Sequence, residues 1–126
     1  MFMDKKALIL VVDDNAEYRE LLAWILERYG FETISAKSGR QAVELAVKCR
    51  PALVLMDLNM PGMNGYEAAQ AIHADRHTRE IPIVAASANC ADFKPQASKA
   101  GFIAVLEKPW KAEALREIVT NVLNRP

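Results

Sequence analysis

Ala7-Leu8-Ile9-Leu10-Val11-Val12-Asp13-Asp14-Asn15 is the stretch on which the fold turns. Its unbroken apolar run, rich in β-branched residues, predicts a strand buried on both faces, and strands of that kind belong to parallel sheets. The period then changes. From Asn15 onward Tyr18, Leu21, Leu22, Ile25, Leu26 and Tyr29 fall at helical spacing, and Gly30 supplies a stop. A buried strand feeding a helix through a pair of aspartates is the unit from which the rest of the chain is read.

The unit repeats. Phe31 to Ser35 predicts a second strand, and Ser38-Gly39-Arg40-Gln41 has the form of a capping box opening a helix with Val43, Ala46 and Val47, ending before Pro51. Ala52 to Met56 is again a buried-type strand ending at Asp57, followed by the turn-forming run Asn59-Met60-Pro61-Gly62-Met63-Asn64-Gly65. A third helix is expected from about Asn64 to His73. Ile81 to Ala86 makes a fourth strand, with Pro82 tolerated near its start. A weaker helix is expected between Asp92 and Ala100, with Pro95 in its first turn. Phe102 to Leu106 is the fifth strand, and Leu115, Ile118, Val119, Val122 and Leu123 stripe a last helix beginning near Lys111. Five strands alternating with five helices imply right-handed crossovers and an open, doubly wound α/β sandwich.

Composition bounds the function. The 126 residues predict one domain spanning 1–126, with no room for an effector. Sixteen Lys and Arg balance sixteen Asp and Glu, so the broad cationic footprint of a direct nucleic-acid binder or an anionic-membrane binder is missing. Cys49 and Cys90 match no metal spacing and read as small buried hydrophobes of a protein in a reducing compartment. The apolar run after the charged N-terminus is too short for a signal peptide or membrane span. The expected location is the cytoplasm.

In a doubly wound sheet, ligands bind beyond the carboxyl ends of the strands. There the first strand ends in Asp13-Asp14, the third in Asp57, the fourth in Ser87 and the fifth in Lys108-Pro109. Taken singly, each has a plain structural explanation: a helix cap and an exposed acid, a turn residue, a local hydrogen bond, a surface lysine. Together they are complementary chemistry on four strand ends. Three carboxylates in one cleft repel each other unless a cation neutralises them. Mg²⁺, which takes oxygen ligands and keeps several waters, suits that set, and Lys108 suits a phosphoryl oxygen.

With those residues in view, the chain resembles the receiver domains (CheY-like) of two-component response regulators. The resemblance rests on Val11-Val12-Asp13-Asp14-Asn15, Leu55-Met56-Asp57-Leu58-Asn59-Met60-Pro61-Gly62-Met63-Asn64-Gly65, Ala86-Ser87-Ala88 and Lys108-Pro109, and covers essentially the whole chain. It implies a flavodoxin-like sheet of order 2-1-3-4-5. It also implies that the domain is no conventional enzyme but catalyses its own phosphorylation and slow dephosphorylation. A histidine kinase or histidine phosphotransfer protein would supply the phosphoryl group, and the output would go to a downstream protein target or a missing output domain. By the same resemblance Asp57 is the phospho-acceptor, and Asp13, Asp14, Asp57 and the backbone carbonyl of Asn59 hold the Mg²⁺. Ser87 and Lys108 then bind the phosphoryl group and switch the face formed by the fourth helix, fifth strand and last helix. The family's cis peptide makes Lys108-Pro109 a candidate for one.

One position departs from the family. Where receivers carry Tyr or Phe three residues before the lysine, this chain has Val105, so an aromatic flip there is impossible and Trp110 becomes a candidate relay, weighed against simple anchoring of the last helix. The departure leaves some room for a phosphorylation-independent interaction module of the same fold. A flavin or nucleotide module would need a Gly-rich phosphate loop where the chain has Asp13-Asp14-Asn15. His73 and His77, four apart, lack a third ligand and read as solvated surface residues. Of Met56, Met60 and Met63 around Asp57, two are expected to pack the core or the loop.

Overall fold

The computed structural model describes residues 6–58, 60, 62, 64–87 and 99–125. In chain order β1 (Leu8–Val12) is followed by α1 (Ala16–Arg28), β2 (Glu32–Ala36), α2 (Gly39–Cys49), β3 (Leu53–Asp57), α3 (Gly65–Ala74), β4 (Ile83–Ser87), β5 (Phe102–Glu107) and α4 (Ala112–Leu123). The strands form one parallel sheet in the order β2-β1-β3-β4-β5. The sheet order is the one expected, and four helices lie among the described residues. Of the helix expected between Asp92 and Ala100, residues 92–98 lie outside the described residues, and the last two, Lys99 and Ala100, are helical.

Strand alternation divides the core into two layers. Leu10, Val12, Val54, Met56, Ile83 and Ala85 face α2 and α3, where Ala42, Ala46, Ala68, Ala69 and Ile72 meet them. Ile9, Val11, Leu53, Leu55 and Val84 face α1 and α4, where Leu22, Leu26, Leu115 and Val119 meet them. Both faces of β1, β3 and β4 are therefore dry, which is why their sequences read as unbroken apolar runs. Met56 and Met60 pack into the first layer.

Side-chain caps fix where the helices begin. Asn15 Oδ1 accepts from Tyr18 N at 3.2 Å at the start of α1, and Asn64 and Glu67 form a reciprocal capping box at the start of α3. At α2 the expected box is altered: Ser38 Oγ accepts from Gln41 N, but Gln41 Oε1 accepts from Lys37 N at 2.8 Å, one residue before the cap. β4 starts at Ile83 instead of Ile81, because Ile81 N donates to Thr78 O in a turn and Pro82 has no N–H to give a ladder. Leu21, Tyr29 and Val47, placed on apolar stripes by their spacing, are exposed, and Cys49 is half-buried instead of buried. Among the described residues no helix is long and apolar enough to cross a membrane.

Candidate functional site

The sheet order reverses between β1 and β3, and both strands end in aspartate at the same rim. Asp13 follows β1 directly, its N–H donating to Ala36 O at 3.2 Å to continue the ladder, while its Oδ1 accepts from Asn15 N at 2.9 Å. That turn directs the chain into α1 and leaves Asp14 exposed beside a buried Asp13. Helix capping is done by Asn15, so neither aspartate is consumed by it. Asp57 closes β3 and is 6 % exposed. Carboxylate oxygens of Asp13, Asp14 and Asp57 all lie within 4.8 Å of one another.

Lys108 answers two of them. Its Nζ is 3.5 Å from Asp13 Oδ2 and 3.5 Å from Asp57 Oδ1. Its backbone N–H donates to Ser87 O at 2.7 Å, so the carboxyl ends of β4 and β5 are tied together where Lys108 leaves the sheet. Ser87 is buried at the end of β4. The Lys108–Pro109 peptide bond is cis. One ammonium against three carboxylates leaves the rim with excess negative charge, and an all-oxygen donor set with two buried members fits a hard divalent cation such as Mg²⁺. Asn59 lies outside the described residues.

Two residues of α1 complete the rim and were not foreseen from the sequence. Arg19 Nη1 donates to Asp13 O at 2.7 Å, and the ring of Tyr18 lies under the Lys108 ammonium, 5.0 Å from Nζ to its centroid. Helical spacing marks Tyr18 only as an apolar residue, because its partner Lys108 is remote in sequence, and it gives Arg19 no signal, because the acceptor is a backbone carbonyl that no side-chain pattern marks.

The remaining candidates lie elsewhere. Val105 is half-buried against the α2–α3 layer, and Trp110 packs on the α1–α4 layer beside Leu106 and Pro109. Cys90 and Met63 are outside the described residues. His77 is exposed, but His73 is not the solvated residue its spacing suggested. Its ring lies flat on Gly101, its Nε2 is buried, and burial holds its pKa below the ordinary histidine value.

Residues 9–120 match the family model of the response regulator receiver domain. The chain is 36 % identical over 118 residues to the phosphate regulon transcriptional regulatory protein PhoB of Pseudomonas aeruginosa, a match covering 93 % of this chain and 52 % of PhoB. It thus spans about half the length of that relative. It is 33 % identical over 118 residues to Protein PilH of Pseudomonas aeruginosa, covering 93 % of this chain and 98 % of PilH. Among solved structures, the receiver domain of the sensor histidine kinase PA1611 of Pseudomonas aeruginosa, with a magnesium ion coordinated in its active site cleft, superposes with a TM-score of 0.89. That match has 30 % identity and covers 96 % of this chain and 100 % of the other.

Proposed function

The chain belongs to the response regulator receiver domain family, and on that footing we propose that it accepts a phosphoryl group on Asp57 from a phosphohistidine of a partner protein. The observation that carries this reading is the convergence of Asp13, Asp14 and Asp57 within 4.8 Å, with Lys108 spanning Asp13 and Asp57 at 3.5 Å. An Asp57 carboxylate oxygen attacks phosphorus as the bond from phosphorus to the imidazole nitrogen breaks, and the departing imidazole keeps the electron pair. Positioning and charge neutralisation are most of what such a transfer needs.

Asp13, Asp14 and Asp57, with the carbonyl of Asn59, are the residues that would hold Mg²⁺. When bound, the ion supplies charge neutralisation to the phosphoryl oxygens. Lys108, 3.5 Å from Asp57 Oδ1, would pair with a phosphoryl oxygen, and Ser87, buried at the end of the neighbouring strand, is the hydroxyl that would follow it. Their shift toward the new anion would bias the face built on β5 and α4 between two arrangements. Trp110, at the start of that face, is the candidate relay in place of an aromatic at Val105. The partners this reading requires are a histidine kinase or phosphotransfer protein on one side and a downstream target or output domain on the other.

Intact mass after incubation with Mg²⁺ and acetyl phosphate tests the assignment. Wild-type protein gains one phosphoryl group, and Asp57→Ala gains none. Equal labelling of the two, or an unmodified wild type under conditions that label a control receiver, would favour a phosphorylation-independent interaction module.

A further inference from the structure

We propose that Tyr18 is a positioning residue for Lys108, its ring face holding the ammonium over the acceptor carboxylate; the inference rests on Asp57 being that acceptor. Lys108 has a flexible four-carbon stem, and only its backbone is fixed, through Ser87 O. Its two carboxylate contacts, both 3.5 Å, are longer than the ~2.7–2.9 Å of tight charge-assisted hydrogen bonds, so they attract the ammonium without fixing it. The third neighbour is the Tyr18 ring at 5.0 Å, inside the ~6 Å range at which a ring face attracts a cation.

Tyr18 is itself anchored. It is half-buried, and its backbone N–H is held by the Asn15 cap, in the same loop that carries Asp13 and Asp14. The ring is thus fixed to the acidic side of the cleft while the lysine comes from the end of β5. A neutral aromatic face is the appropriate wall here. A carboxylate would add to the excess negative charge, and an aliphatic side chain would exclude water without attracting the ammonium. As the phosphoryl group arrives, Lys108 must pass from a carboxylate oxygen to a phosphoryl oxygen, and contact with the ring restricts that movement to a short one.

The test uses the full chain with Tyr18→Leu and Tyr18→Phe. In metal-free protein the ring current shifts the ε-methylene proton resonances of Lys108 upfield; that shift is lost in Tyr18→Leu and restored in Tyr18→Phe. With Mg²⁺ and acetyl phosphate, Tyr18→Leu is labelled about two- to fivefold more slowly, the rate equivalent of one partly exposed cation–π contact, and the ring-bearing variant recovers the rate. Mg²⁺ affinity by calorimetry does not weaken in Tyr18→Leu, because the ammonium and the metal share the same carboxylates; a general structural defect would weaken both. Unchanged Lys108 resonances in Tyr18→Leu, or labelling at the wild-type rate, overturns the inference. A wild type that is not labelled at all overturns the Asp57 assignment instead, and the resonance comparison still decides the contact.

Discussion

Gly65 is a point of close approach between α3 and the end of β3. A Cβ built there would fall on the carbonyl oxygen of Asp57 and the Cα of Leu58, both backbone atoms that no rotamer change can move aside. Gly65 N donates to Leu58 O at 3.3 Å, so the close approach also closes the loop after β3. Gly65→Ala is therefore expected to destabilise the fold by about 1–3 kcal/mol in chemical denaturation, the usual range for overpacking. Because the displaced carbonyl belongs to Asp57, the rate of phosphoryl uptake should fall by more than the loss of folded protein explains. A variant with wild-type stability and labelling would show that the loop absorbs the methyl group. The glycine is visible in the sequence as a turn former; its role as a spacer is not, since that depends on how α3 docks. His73 shows the same limit. Its spacing to His77 is legible, whereas the Gly101 surface that covers its ring lies 28 residues onward and follows no local period.

The strands were the most legible elements, because β1, β3 and β4 are buried on both faces and so carry continuous apolar runs. Helix faces were less so. α1 has apolar residues beyond those it buries: Leu22 and Leu26 are in the core, while Leu21 and Trp24 are about half exposed. Periodicity identifies the helix and overstates its buried stripe. Helix ends follow side-chain chemistry where a cap is present, and α2 ends against it. Its C-cap is Arg50 at φ 47°, the left-handed region, in a chain that uses Gly30 at φ 95° just beyond the end of α1. Pro51 forecast the stop but not the conformation of the residue before it. Arg50→Gly should relieve the Cβ penalty and raise stability by about 0.5–1 kcal/mol at unchanged m-value, after allowance for the added freedom of the unfolded chain. A lower denaturation midpoint would mean that the arginine side chain contributes more than its backbone strain removes.

At the scale of the molecule, equal numbers of acidic and basic residues conceal a local imbalance, since three carboxylates meet the Lys108 ammonium and the Arg19 guanidinium at the rim, one negative charge in excess. The converging aspartates and the lysine were legible because a doubly wound sheet sends all its strand ends to one side; Tyr18 and Arg19 were not, because helical phase alone does not say what the first turn of α1 faces. The imbalance makes folding stability a reporter of metal binding that is independent of phosphorylation. Lys108 is drawn to Asp13 and Asp57, so Asp14, exposed beside them, is the excess charge. Asp14→Asn should therefore raise the Tm of the metal-free protein by relieving like-charge repulsion, while reducing the gain from added Mg²⁺. For wild type that gain follows mass action, reaching about 2.7 kcal/mol at a free Mg²⁺ concentration one hundred times Kd. Monovalent salt at matched ionic strength should reproduce little of it, because Asp13 and Asp57 are buried and buried charges are screened weakly. Thermal melts over a Mg²⁺ series, with sodium chloride as the matched control, decide the matter. A Tm that rises equally with either salt, or an Asp14→Asn protein that gains as much from Mg²⁺ as wild type, would remove Asp14 from the metal site and leave the rim charge balanced by some other means.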